Sequence, residues 1–112
     1  MASGTSDLLQ GMLDMLILKV VAMGPIHGYA LSKRIRQMSE EVLNIHQGSL
    51  YPALHRLEER KWLRAEWRET ESGREAKFYT LTSAGRKQLA VEELDWERLS
   101  GAIRLVMRTA QS

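Results

Sequence analysis

The sequence contains no cysteine, and this absence excludes several classes of protein at once. Disulfide scaffolds, zinc sites built on thiolates and enzymes with a thiol nucleophile all require that residue. The three histidines, His27, His46 and His55, are 19 and 9 residues apart, which matches no metal-site spacing. We therefore expect neither a metal nor another cofactor.

Catalytic motifs are also missing. Serines, histidines and carboxylates are present, but no nucleophile elbow frames them, and the chain has no glycine-rich loop for phosphate. We therefore predict that the protein is not an enzyme.

Long hydrophobic runs and a strong charge of one sign are lacking too. The most apolar stretch, residues 12–23, carries Asp14 and Lys19 and is shorter than the roughly 20 residues of a membrane span. The first ten residues have no positive side chain, unlike a signal peptide. We expect a cytoplasmic protein without membrane association. The net charge of +2 allows nucleic-acid binding but does not indicate it, because the placement of charges matters more than their sum.

The apolar residues that are present follow helical periods in three segments of the first half. These segments are residues 8–21, 31–38 and 50–57, and a short extended piece at residues 43–45 precedes the third. Gly24 and Pro25 end the first helix.

The second half predicts a β-hairpin and then one long helix. Residues 62–67 and 76–81 are rich in β formers and flank a polar turn. Thr82 is a good cap for the last helix. The fold class is therefore mainly α with a small β-hairpin wing: a winged helix-turn-helix over residues 1–82, followed by a C-terminal dimerisation helix over residues 83–112.

The third helix gives the most specific indication of function in the sequence. Its outer face, opposite the leucines, carries small, polar and cationic residues, which are Gly48, Ser49, Pro52, His55 and Arg56. Small residues let a helix approach the major groove, and donors reach bases and phosphates. An ordinary amphipathic helix with a solvated face has the same period, but the hairpin that follows favours DNA. A winged helix that serves as a protein-interaction module without DNA is the alternative.

The last helix carries an apolar seam, which we define as Leu89, Trp96, Leu99, Ile103 and Val106. Their heptad-like spacing, interrupted by Glu92, is typical of a helix that pairs with another. We expect a homodimer that buries this seam together with Leu13 and Leu16 of the first helix. Trp96 has two interpretations: an interface aromatic, or one wall of a site for a planar aromatic ligand.

The sequence resembles the PadR family of winged-helix regulators. The matching residues are His27-Gly28-Tyr29, the run from Gly48 to Leu54 with Arg56-Leu57-Glu58, Lys77-Phe78-Tyr79, and Leu81-Thr82 with Gly85. The resemblance implies a homodimer that usually represses genes from palindromic operators. The single C-terminal helix of this chain is similar to that of the smaller subgroup of the family. Some members of this subgroup bind planar compounds between tryptophans at the position that matches Trp96.

The resemblance also implies which residues meet DNA. From the recognition helix these are Ser49, Tyr51, Pro52 and Arg56, and from the wing they are Arg74 and Lys77. Apart from the resemblance, we predict DNA contacts from Gln47 and His55 of the third helix and from Lys33 and Arg34 of the second helix, which would neutralise phosphates. Lys61 departs from the family, which often has glycine there, so lysine must adopt whatever backbone that turn requires, the left-handed region included.

Overall fold

The computed structural model describes residues 3–111, and their side chains from residue 10 onward. Four helices and three strands follow in the order α1 (Ser3–Val21), β1 (Ile26–His27), α2 (Gly28–Met38), α3 (Gln47–Glu59), β2 (Leu63–Glu69), β3 (Glu75–Leu81) and α4 (Ser83–Ala110). The predicted fold class, mainly α with a β-hairpin wing, is confirmed. In the part of the chain that is described, no helix is long and apolar enough to cross a membrane.

The short strand lies at a different place from the one predicted. Residues 43–45 form no strand, whereas Ile26 and His27 pair antiparallel with Tyr79 and Phe78 of β3. A strand requires a free sheet edge, and β3 offers one because β2 occupies only its other side. The chain reaches that edge directly after Pro25, while residues 43–45 lie beside α1 instead.

The wing consists of β2, β3 and the turn between them. The two strands pair from Leu63 opposite Leu81 to Glu69 opposite Glu75. Since side chains alternate across a strand, Leu63, Ala65 and Trp67 share one face. Leu63 is buried and Ala65 packs against the core, so this face looks towards the helices.

The core lies between the three N-terminal helices and the inner face of the sheet. Its fully buried side chains come from α1, α2, α3 and β2, and include Ile17, Leu18, Leu31, Leu50, Leu54, Leu57 and Leu63. Removing each such side chain from water contributes about 1.5–3 kcal/mol. These contacts fix how α3 is rotated about its axis.

Helix α4 begins inside this core and then leaves it. The hydroxyl of Thr82 accepts a hydrogen bond from the Gly85 N–H at 2.9 Å, which confirms the predicted cap. Leu89 is buried with the core, so it offers little surface to a partner, and its place in the dimer interface stays a prediction. The heptad pattern continues along α4 and does not show at which residue the helix stops packing on its own core. Beyond Leu89, the remaining seam residues are 37–65% exposed.

Candidate nucleic-acid interface

A broad open groove runs between the start of α2, the outer face of α3 and the inner face of the wing. Its volume is about 1210 Å³. Its lining includes Tyr29, Lys33, Tyr51, His55, Trp67, Arg74, Lys77 and Tyr79. The groove therefore joins elements that are far apart in the sequence, and it combines aromatic rings with cations.

The side of α3 that carries Tyr51 and His55 forms one wall, because the leucines of this helix are buried on its other side. Gly48, Pro52 and His55 are exposed, as the helical period predicts. The side chain of His55 is 71% exposed and stands 3.6 Å from a carboxylate oxygen of Glu59. His46 precedes the helix without a side-chain hydrogen bond to it. No His46 side chain therefore caps the start of α3, where the Ser49 and Leu50 N–H groups donate to the His46 carbonyl oxygen at 3.0 Å.

Arg56 does not point outward with this face. Its guanidinium donates to the carboxylate of Asp14 in α1, and its side chain is only 23% exposed. Burial raises the pKa of Asp14, and the hydrogen bond and charge of Arg56 oppose that rise. Arg56 lies at the border between the leucine face and the outer face, so its long side chain reaches back to α1. In this structure Arg56 therefore pairs with Asp14, and its contact with DNA stays a prediction.

The cations predicted to contact DNA differ in their position and in whether they are already paired with a carboxylate. Lys33, Arg74 and Lys77 line the groove, whereas Arg34 is exposed outside its lining. Lys77 lies 3.0 Å from Glu58 of α3, and the hydrogen bond to that carboxylate raises the pKa of Lys77. This ion pair fastens the wing to α3 and leaves less of Lys77 for a phosphate.

Arg74 lies at the tip of the wing, as predicted. Its carbonyl accepts from the Thr70 N–H at 2.7 Å, and Gly73 turns the chain with a φ of +86°. The tip also brings Glu71 and Glu75 into the lining, so acids and cations alternate there. Such a tip favours contact by individual side chains over a uniform positive surface.

The predicted residues Gln47, Ser49 and Pro52 are exposed but do not line the groove. Tyr51 does, and it packs on the first residue of α2. A Cβ atom at Gly28 would stand 2.8 Å from the Tyr51 ring, so any larger residue there would have to displace that ring. The contact accounts for the glycine in the His27-Gly28-Tyr29 motif.

Two aromatic residues of the groove were missed from the sequence. Tyr29 is 60% exposed and Trp67 is 66% exposed. The signal for Tyr29 was its place in a recognised motif. For Trp67 the sequence signal was the alternation of side chains along β2. This alternation places the indole on the inner face of the wing, beyond the residues that reach the core.

A second, apolar cavity of about 490 Å³ lies on another side of the molecule. Trp96 forms one wall, and α1 and the segment before α3 form the others. Its lining residues include Met12, Leu13, Met15, Leu16, Leu43, Ile45, His46 and Ser49. The cavity thus connects the seam of α4 with the N-terminal end of α3.

Comparison with known proteins identifies the family. Residues 17–91 match the model of the transcriptional regulator PadR-like family. A PadR family transcriptional regulator from Eggerthella lenta is 31% identical, with a TM-score of 0.77 over 96% of this chain and 91% of that one. A transcriptional regulator from Clostridium thermocellum is 28% identical, with a TM-score of 0.79 over 88% and 95% of the two chains. A PadR-like transcription factor from Bacteroides fragilis is 27% identical, with a TM-score of 0.77 over 94% and 99%.

These proteins are transcriptional regulators rather than enzymes, which confirms the prediction that the chain has no catalytic role. The winged fold, the outward face of α3 and the groove beside it agree with the match. The chain belongs to the PadR-like family of transcriptional regulators and is a DNA-binding regulator.

Proposed function

We propose that the protein is a homodimeric repressor that acts in the cytoplasm and binds a palindromic operator. The observation that carries this proposal is the groove, because it joins the exposed face of α3 to the wing. In this arrangement α3 lies in the major groove, where His55 and Tyr51 reach base edges. Lys33 and Arg74 bind the flanking phosphates.

The exposed part of the seam supports the dimer. Leu99, Ile103 and Val106 are 37%, 48% and 65% exposed on one side of α4. A helix that exposes such a stripe in one protomer is covered most economically by the same stripe of a second copy. Leu13 and Leu16 line the cavity beside Trp96 and continue this surface onto α1. Two copies related by a twofold axis then present two α3 helices about one DNA turn, roughly 34 Å, apart.

The cavity beside Trp96 supports release by a planar aromatic ligand. Trp96 is 37% exposed, and almost all of the cavity surface comes from apolar side chains. A flat aromatic molecule stacks on the indole face there. Because the same cavity touches Ser49 at the start of α3, a ligand that binds one dimer geometry more tightly alters the spacing of the two recognition helices.

Selection of duplexes from a random pool tests the DNA function. The proposal predicts an enriched palindrome, with weaker binding and a smaller salt slope for Arg74→Ala and weaker, less selective binding for His55→Ala. Arg104→Ala is the matched control, because this arginine lies on α4 away from the groove. Failure of the wild-type protein to enrich any duplex favours the protein-interaction module instead.

Fluorescence tests the ligand. In a Trp62→Phe, Trp67→Phe protein the only remaining tryptophan is Trp96. Saturable quenching by ethidium, lost when Leu16 is changed to Glu, supports the site. Unchanged emission across a series of planar dyes argues against it.

A further inference from the structure

Trp67 is the most exposed of the three tryptophans, and packing within the fold does not explain its position. It is 66% exposed, compared with 37% for Trp96, which belongs to the seam. Trp62 is only half-buried and packs against the core. Aromatic residues are enriched at interfaces, and this indole lines the same groove as Tyr29 and Tyr51.

The strand register shows where this surface is. Trp67 pairs with Lys77 and shares its face with Leu63 and Ala65. The first two residues of that face, Leu63 and Ala65, contact the core, and Trp67 continues the face outward into the groove. The apolar cavity beside Trp96 does not include Trp67. The indole therefore belongs neither to the core nor to the ligand cavity, but to the wall opposite α3.

The surroundings of Trp67 fit a sugar–phosphate backbone. Lys33 and Arg74 line the same groove and supply positive charge for phosphates. An indole has an apolar face that packs on deoxyribose and one N–H that donates to a phosphate oxygen. Stacking on a base instead requires that neighbouring bases separate, which costs a few kcal/mol per step.

We propose that Trp67 is a DNA-contact residue, which lays its ring against one strand of the operator backbone as the wing docks. This inference rests on the proposed function and adds the residue by which the wing holds the backbone. Because backbone contacts carry no direct sequence information, Trp67 contributes to affinity for operator and random duplex alike.

The test compares substitutions on the two faces of the wing. Trp67→Ala is expected to weaken binding of both the selected operator and a random duplex by about tenfold, the size of a buried interface anchor. Trp67→Phe, which keeps a ring but not the N–H, recovers part of this loss. Arg68→Ala is the control, because Arg68 is next to Trp67 on the opposite face and pairs with Glu66. Circular dichroism checks that each variant is folded.

A second measurement uses the unaltered Trp67. In a Trp62→Phe, Trp96→Phe protein, its emission is expected to change at the same DNA concentration that saturates the anisotropy of labelled operator. If the wild-type protein binds no duplex, the proposed function itself fails. If it binds, and Trp67→Ala binds equally well or the Trp67 emission stays constant, the inference about Trp67 is overturned while the function stands. A tenfold loss for Arg68→Ala as well would also overturn it.

Discussion

At the scale of single residues, the ion pair between Arg56 and Asp14 determines how the recognition helix is attached to α1. Asp14 is 8% exposed, and burial raises its pKa. A buried carboxylate needs a partner, since leaving it unpaired costs several kcal/mol. The cation that a helical wheel assigns to DNA instead satisfies this carboxylate.

Removal of Arg56 is expected to destabilise the fold. Arg56→Ala should lower the free energy of unfolding by about 3 kcal/mol, because Asp14 stays buried without its cation. His55→Ala is the matched control on the same helix: its side chain is exposed, so it should change stability by less than about 0.5 kcal/mol. Urea denaturation of both variants measures the difference. Equal stabilities would show that the pair does not hold α3.

Lys61 occupies a backbone conformation that glycine prefers. Its φ is +67°, in the left-handed region, directly after α3. Lys61→Gly should therefore stabilise the protein by up to about 1 kcal/mol, because the Cβ penalty disappears. Arg60→Gly, at a φ of −79°, should instead destabilise it. Thermal unfolding distinguishes the two, and a lower midpoint for Lys61→Gly would contradict this account.

At the scale of elements, α4 changes its role along its length. Its first turns pack so closely on the wing that a Cβ atom at Gly85 would stand 2.2 Å from the Trp62 carbonyl oxygen. Lys19 of α1 holds the middle of the helix through Glu93 at 2.8 Å. Beyond Trp96 the helix has an exposed apolar stripe. The same helix thus anchors the wing at one end, and at the other it carries the surface proposed for the dimer.

The two glycines of α4 should respond oppositely to alanine. Gly85→Ala should cost about 1–3 kcal/mol through overpacking against Trp62. Gly101 has open space around its Cβ position, so Gly101→Ala should add about 0.5–1 kcal/mol through helix propensity. Chemical denaturation compares them. A stabilising Gly85→Ala would mean that α4 does not approach the wing so closely.

At the scale of the whole molecule, the shape supports the proposed dimer through α4. The molecule measures 58 × 29 × 29 Å, and α4, at 28 residues, is about 42 Å long. The elongated shape of the molecule is consistent with a helix α4 that extends beyond the hydrophobic core of the chain. One protomer also offers only one recognition helix, whereas a palindromic site requires two.

Charges placed in the seam should separate the protomers. A Leu99→Lys, Ile103→Lys double variant should sediment as a monomer and bind the selected operator at least about tenfold more weakly, because half of the contacts are lost. Arg104→Glu, on the other side of α4, is the control and should stay dimeric. Sedimentation velocity at a fixed protein concentration gives the result. A double variant that sediments like the wild type would place the interface elsewhere.

The sequence predicted the face of α3 well because helical period fixes which residues lie opposite a buried leucine stripe. It did not show that Arg56 pairs with Asp14, since a side chain of that length at the border of two faces turns towards whichever charge the fold brings near. It also missed Trp67, because alternation gives the face of a strand but not the point along it where the core ends.

By itself, the sequence determined the order of helices and hairpin, the Thr82 cap and the family motifs, all of which depend on local spacing and backbone preference. Only the tertiary structure decided that β1 pairs beside β3, that Leu89 is buried within the protomer, and that Arg56 binds Asp14. It also placed Tyr29, Trp67 and Arg74 around one groove. These features depend on contacts between residues far apart in the chain, which local periodicity does not encode.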